Sequence, residues 1–287
     1  MQKYLERAAY EWSEDSVRLI HTANQNTKRT FFYVQETGVF KTKPPYFTER
    51  ENLDSFLLVY TISGEGILQI DGNKYDVTPG QLFWIPCMKH HCYACKGKNW
   101  EILWLHFNGI AARGYYEEFA KGETPVVLIQ RREWVKKQFC HIISLVQKRD
   151  AHSELLISND ITNILTEILM TDHGNESIQS QMPDYVKLTI REIDKHFQED
   201  LPLEQLAAQV GVSKYYLLKQ FKKYVGCTIG EYCTTTRLNY AKELLKYSQE
   251  SVNEITFSCG MNNVSHFINM FRKHEHMTPL QYRKKWG

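Results

Sequence analysis

The sequence predicts an α+β protein of two domains, an N-terminal small β-barrel completed by a pair of helices and a C-terminal all-α domain carrying two helix-turn-helix motifs. Three observations predict it. Between Phe56 and Phe107, short apolar runs rich in aromatic and β-branched residues are cut by Ser63-Gly64-Glu65-Gly66, Asp71-Gly72-Asn73, Thr78-Pro79-Gly80 and Pro86, which is the texture of strands and tight turns. From Arg132 to Met170 the apolar period becomes helical, and between Leu203 and Tyr282 one pattern is stated twice, about fifty residues apart.

The chain of 287 residues has room for two cores. Met1 to Tyr10 contains Lys3, Glu6 and Arg7 without a long apolar run, and no stretch has the length of a membrane span, so a cytoplasmic protein that does not enter a membrane is expected. Seven scattered cysteines, an odd number, point to reduced thiols, most of them small core residues. His90, His91, Cys92 and Cys95 near Cys87 offer soft ligands for zinc or redox chemistry. A second paired set of ligands is missing and the segment reads as strand, so no metal and no cofactor is expected.

In order, the boundaries read as a barrel with an N-terminal arm over 1–130, a helical pair over 131–170, a polar linker over 171–183, and the helix-turn-helix domain over 184–287. Asp71-Gly72 marks a hairpin between Ile67–Ile70 and Lys74–Val77. In the last strand, alternation sets Leu103, Leu105 and Phe107 on one face and Trp100, Trp104 and His106 on the other. The second face suits a pocket, because flat rings cover the C–H faces of a sugar while polar tips take its hydroxyls. Arg50, Trp84 and His91 join it as candidates by proximity in sequence. The alternative is that these tryptophans are barrel core and the domain binds nothing.

Trp134, Phe139, Ile142, Ile143 and Val146 form one helical stripe, and Ile161, Ile164, Leu165, Ile168 and Leu169 a second. The second must be buried on its own barrel or on another protomer. Tyr185 to Phe197 then opens the C-terminal domain as its first helix.

In the first copy of the repeat, Leu203, Leu206, Ala207 and Val210 form a short stripe, Gly211 breaks it, and Ser213 caps a helix carrying Leu217, Phe221 and Val225. The second copy repeats this with Val252, Ile255 and Cys259, then Gly260, then Phe267 and Phe271. At about 100° per residue, setting the apolar residues inward leaves Tyr215, Tyr216, Lys219, Lys222 and Lys223 outward, with Lys214 at the helix start. In the second copy Ser265, His266, Asn269, Arg272 and Lys273 face outward. Both faces lack acids and offer donors. Such a face suits a major groove, where Asn pairs with adenine, Lys or Arg with guanine, and flanking cations with phosphates. A solvated basic face is the bland alternative for one helix, and its recurrence at matching positions argues for double-stranded DNA. From Gly211 to Gly287 twelve Lys and Arg stand against five Asp and Glu, which supplies the salt-sensitive part of DNA affinity. No Gly-rich phosphate loop or nucleophile elbow is present to support an enzyme.

The C-terminal text resembles the DNA-binding domain of the AraC/XylS family of transcription regulators. It does so at Tyr216-Leu217, Phe221-Lys222-Lys223, Gly226, Tyr232, Arg237, Ala241 and Leu244-Leu245, and again at Ile255, Gly260, Phe267, Phe271-Arg272-Lys273, Thr278-Pro279 and Tyr282-Arg283. Met261, Thr256 and His276 depart from the family text, and His276 stands where a helix end wants a left-handed residue. More loosely, Gly64-Glu65-Gly66, Pro79-Gly80, Ile85-Pro86, His90-His91 and Trp104-Leu105-His106-Phe107-Asn108-Gly109 resemble the cupin-like effector domain of the sugar-responding members. The resemblance implies a sugar-binding barrel with a stacking Trp at 104, a homodimer built from the helical pair, contact with RNA polymerase, and activation of carbohydrate-use genes. A non-sugar effector, or a cupin-type metal enzyme fused to a DNA-binding tail, are the rival expectations.

Overall fold

The strand His91–Gly109 and the strand Phe56–Ile70 pair antiparallel along almost their whole lengths and form the spine of a rolled sheet. The computed structural model describes residues 3–122, 124–148, 150, 152–171 and 182–287 and divides into two units, Met1–Ile178 and Gln179–Gly287. In the first, the order is β1 (Leu5–Ala9), β2 (Val17–Ile20), α1 (Gln25–Thr30), β3 (Phe32–Thr42), β4 (Phe47–Glu51), β5 (Phe56–Ile70), β6 (Asn73–Val77), β7 (Gln81–Pro86), β8 (His91–Gly109), α2 (Ala112–Phe119), β9 (Val126–Leu128), α3 (Arg132–Lys148) and α4 (Ser153–Met170). The linker expected at 171–183 lies outside the described residues, apart from Thr171, Met182 and Pro183.

One edge of β8 carries β4 and then β3, and its other edge carries β5, which in turn carries β7 and β6. Register shifts between Thr61 and Ser63 and between Gly64 and Gly66 bend β5 at its middle. Trp100 fills the inside of that bend. A Cβ on Gly66 would lie 2.3 Å from the Trp100 ring, and the indole Nε1–H donates to Thr61 Oγ1 at 3.1 Å. The expected hairpin is present, with Asp71 and Gly72 both at positive φ between β5 and β6.

The sheet has a core on each face. Inside the roll lie Phe40, Tyr46, Leu57, Val59, Phe83, Ile85, Tyr93, Trp100 and Trp104. The outer face carries Leu82, Trp84, Leu103, Leu105 and Phe107, covered by α2, α3 and α4. Ile157, Ile161, Ile164, Leu165 and Ile168 of α4 are all buried against this sheet within the chain. At about 1.5–3 kcal/mol per fully buried aliphatic side chain, this stripe is a main source of the domain's stability. Of the two destinations open to it, it takes its own barrel, so a dimer through the pair has only its outer surface to use.

All seven cysteines are free: Cys87 and Cys259 are buried in the cores, and Cys95 and Cys233 pack against them partly buried. Among the described residues no group of three His, Cys, Asp or Glu side chains converges on a metal position. Successive residues of a strand face opposite ways, so His91 turns inward while Cys92 does not. Among the described residues no helix is long and apolar enough to cross a membrane.

The second unit is helical: α5 (Asp184–His196), α6 (Leu203–Gln209), α7 (Lys214–Val225), α8 (Ile229–Tyr247), α9 (Val252–Ser258), α10 (Val264–Glu275) and α11 (Pro279–Trp286). One core joins α5, α6 and α7 through Val186, Ile193, Leu206, Leu217 and Phe221. A second joins α9, α10 and α11 through Ile255, Cys259, Phe267, Phe271 and Tyr282. Helix α8 serves both, giving Ile229 to the first and Leu238, Ala241 and Leu245 to the second. Capping boxes open α8 at Thr228 and Glu231, α9 at Ser251 and Glu254, and α11 at Thr278 and Gln281.

Candidate nucleic-acid interface and effector pocket

The turns that set α7 and α10 are built alike. Gly211 and Gly260 take positive φ of 72° and 74°, and the Ser213 and Asn263 side chains accept from the backbone N–H of Tyr216 and His266. Both helices end on a left-handed residue, Gly226 at φ 84° and His276 at φ 57°. The imidazole-bearing residue thus takes the conformation the position demands without glycine.

Leu217 and Phe221 fix the roll of α7, and Phe267 and Phe271 that of α10, all at 0% exposure. Tyr215, Tyr216, Lys219, Lys222 and Lys223 are exposed on one helix, and Ser265, His266, Asn269, Arg272 and Lys273 on the other. Three details go beyond the helical wheel. Lys214 pairs with Glu204 of α6, so the first face is free of acids only from Tyr215 onward. Tyr216 leans on α5, its hydroxyl 3.4 Å from that of Tyr185. The Arg272 guanidinium donates to Asn269 Oδ1 at 3.2 Å, holding the amide beside a cation. Among the described residues Lys219, Lys222 and Lys273 form no salt bridge. Arg237 shows a role that sequence reasoning missed. From α8 it donates to the carbonyls of Phe197 at 2.6 Å and Glu199 at 2.8 Å, closing the end of α5.

In the first unit, the pocket opens on the inside of the roll and is lined by Tyr10, Trp12, Arg18, Glu36, Phe40, Tyr46, Thr48, Arg50, Tyr93 and Trp104. Of the six expected residues, Arg50 and Trp104 are therefore brought together. Trp104 lies against Gly38, where a Cβ would sit 3.2 Å from its ring, and Phe40 is 4.9 Å away between ring centroids. The other four are placed elsewhere. Trp84 projects to the opposite face, stacked 4.9 Å from Phe119 of α2. Trp100 is the pin of the β5 bend. His91 and His106 are fully enclosed behind Arg50 rather than on the pocket wall.

Arg50 is 7% exposed and is held from both sides. One guanidinium nitrogen meets His106 Nε2 at 2.7 Å, and since Arg only donates, Nε2 accepts and the ring proton sits on Nδ1, facing Ser55 Oγ at 3.0 Å. Burial, with the Arg50 charge beside it, holds His106 well below the usual histidine range, and His91 is pushed down to about 4 for the same reasons. Both rings are neutral at pH 7. The other side of Arg50 donates to Glu6 Oε1 at 2.9 Å, where Tyr10 also donates at 2.9 Å. Partial burial alone would raise the Glu6 carboxyl, but hydrogen bonds from Tyr4 and Arg50 hold it down at about 2.

Glu6 belongs to β1, which among the described residues pairs only with β4, and the segment after it lays Trp12 on Phe40 with centroids 4.3 Å apart. The arm closes the pocket so fully that about 10 Å³ remains free, room for about one water. Glu36 and Phe40 of β3 and Thr48 and Arg50 of β4 were within reach of the alternation that marks Trp104. Tyr10 and Trp12 carry no such mark, because their placement depends on a pairing distant in sequence.

Against known proteins, the family model described as an AraC-like ligand binding domain matches residues 33–165, and one described as a helix-turn-helix domain matches residues 206–285. The MmsAB operon regulatory protein of Pseudomonas aeruginosa is 26% identical over 265 residues, 88% of this chain and 83% of its own. The lactose operon transcription activator of Staphylococcus xylosus is 27% identical over 228 residues, 77% of this chain and 80% of its own. An uncharacterized HTH-type transcriptional regulator of Staphylococcus aureus (strain COL) is 32% identical over 146 residues, 48% of this chain but 19% of that longer protein. With a ligand-binding domain and a helix-turn-helix domain in this order, the chain belongs to the AraC family of DNA-binding transcriptional regulators.

Proposed function

We propose that the chain is a sugar-responsive activator of carbohydrate-use genes, with Trp104 as the stacking wall of the effector site and α7 and α10 as the helices that read DNA. The observation that carries the sensing half is the pocket itself. Trp104 and Phe40 offer ring faces, while Thr48, Glu36, Arg18 and Arg50 offer hydrogen bonds, the combination that holds a ring bearing hydroxyls. The name of the S. xylosus relative, a lactose operon activator, supports a sugar over a peptide or a protein as the signal.

Pockets for small molecules span about 300–1,000 Å³, so a ligand enters only if Tyr10 and Trp12 move away. The arm then acts as the reporter: its position differs between the empty and the filled barrel, and that difference is what a ligand needs in order to shift an equilibrium. The protein works in the cytoplasm as a homodimer, contacts RNA polymerase at its promoters and catalyses nothing. Lys219 and Asn269 read base edges, Lys222, Lys223, Arg272 and Lys273 take phosphates, and Lys214, Tyr215, Tyr216, Ser265 and His266 complete the two faces.

Thermal-shift screening of the full chain with neutral and acidic mono- and oligosaccharides, beside non-sugar organic acids, tests this reading. A sugar-based ligand is expected to raise the melting temperature, and the folded Trp104→Phe variant to bind it more weakly. Silence from every sugar, or an unchanged affinity in that variant, would move the effector to another class or another face.

A further inference from the structure

We propose that the effector carries one carboxylate, which replaces Glu6 on Arg50. The inference rests on reading the barrel as the sensor and names the chemistry of what it senses.

Arg50 is a buried cation, and a buried charge is tolerated only with a counter-charge. Among the described residues its one carboxylate partner is Glu6. The other guanidinium in the pocket, Arg18, is served by Glu36 at 2.9 Å, and both of those residues lie on the β2–β3 pair. His106 accepts from Arg50 without charge, and His91 behind it is neutral as well. When the arm lifts, Glu6 leaves with it, and the wall retains Arg18, Arg50 and Glu36, an excess of one positive charge. Water can answer that charge while the pocket is open. A ligand that fills the pocket removes the water again and must bring the anion itself.

Two further donors point the same way. Arg50 Nε and Trp104 Nε1 are both buried and meet no acceptor among the described residues. Each belongs to a residue of the pocket wall that is less than a tenth exposed. An unmet buried donor is costly, and a carboxylate, with two oxygens and acceptor sites only, is the group best able to satisfy several donors at once.

The arm already supplies what such a ligand would supply. It lays a flat ring on Phe40 through Trp12 and sets a carboxylate on Arg50 through Glu6. A molecule that displaces it therefore carries a cyclic body and a carboxylate. With the polar residues Thr48, Glu36, Tyr46 and Tyr93 lining the same space, the body bears hydroxyls. This is the chemistry of a uronic acid.

Isothermal titration calorimetry of the full chain at pH 7 with D-glucuronate, D-galacturonate, D-glucose, D-galactose and benzoate tests it. A uronate is expected to bind about tenfold or more tightly than the neutral sugar of the same ring, the difference made by one charge-assisted contact. Glu6→Gln, which removes the competing carboxylate, tightens the uronate. The double variant Glu6→Gln, Arg50→Gln leaves no buried charge unpaired, so it is expected to fold, and there the uronate loses its advantage. Equal affinity for a uronate and its neutral counterpart in the wild type would overturn the proposal, as would a preference that persists in the double variant. Neutral sugars binding alone overturn the carboxylate and leave sugar sensing intact. Benzoate binding that depends on Arg50, with every sugar and uronate silent, supports the carboxylate and overturns the sugar. If neither the uronates nor benzoate bind the wild type or Glu6→Gln, the proposal falls.

Discussion

Replacing Gly260 by Ala puts a methyl group 2.1 Å from the carbonyl oxygen of Gln198, whereas the same change at Gly211, the corresponding turn of the first motif, meets nothing within 4 Å. Both residues hold φ near 70°, so both substitutions carry the penalty of a left-handed L-residue. That penalty is about 1–2 kcal/mol, offset by roughly 0.4–1 kcal/mol from the stiffer unfolded chain. Gly211→Ala should therefore cost about 1 kcal/mol. At Gly260 the contact lies with backbone, which cannot rotate aside, so a shift of the α5–α6 connection adds about 1–3 kcal/mol, for a total near 2–4 kcal/mol. Urea unfolding of the full-length variants, with amide hydrogen exchange of α9 and α10 to localise the loss, reads both numbers. A Gly211→Ala variant as unstable as Gly260→Ala would show that the Gln198 carbonyl is not what limits Gly260, because the two differ only in what surrounds the added methyl.

Four other substitutions, at three positions, separate contributions that the structure places apart. Lys222→Ala and Lys273→Ala should weaken specific and random DNA alike and each lower the salt slope of binding by about one, which fluorescence anisotropy over a salt series measures. Arg237→Ala should destabilise the helical unit by about 1.5–3 kcal/mol through its two lost carbonyl contacts, and Arg237→Lys, with one compact donor group, should recover only part of that in the same urea assay.

What the sequence made legible was local. Gly211, Gly260 and Ser213 announce turns and a cap because the backbone conformation at each is decided by a few neighbours, and Asp71-Gly72 announces its hairpin for the same reason. Strand parity placed Trp104 and Leu103 on opposite faces because β8 alternates clearly there. Trp84 was misplaced because Leu82, Phe83, Trp84 and Ile85 are all buried, and a strand apolar on both faces shows no alternation from which to read a side. Periodicity in α4 stated that a stripe is buried but not against what. The arm was least legible. Glu6 meets Arg50 across 44 residues of sequence, and nothing in the text around Glu6 marks it as the partner of a buried cation.

In the proposed mode of binding, the outward faces of α7 and α10 read two separate stretches of one DNA duplex. Selecting bound sequences from a random duplex library with the wild type, Lys219→Ala and Asn269→Ala tests it most directly. Each variant should lose preference at one or two positions, at a cost of about 1–3 kcal/mol on the selected site, with the two sets of positions about 10–10.5 base pairs apart. Loss of specific and random binding in equal measure, or relaxation of the same positions by both variants, would contradict it.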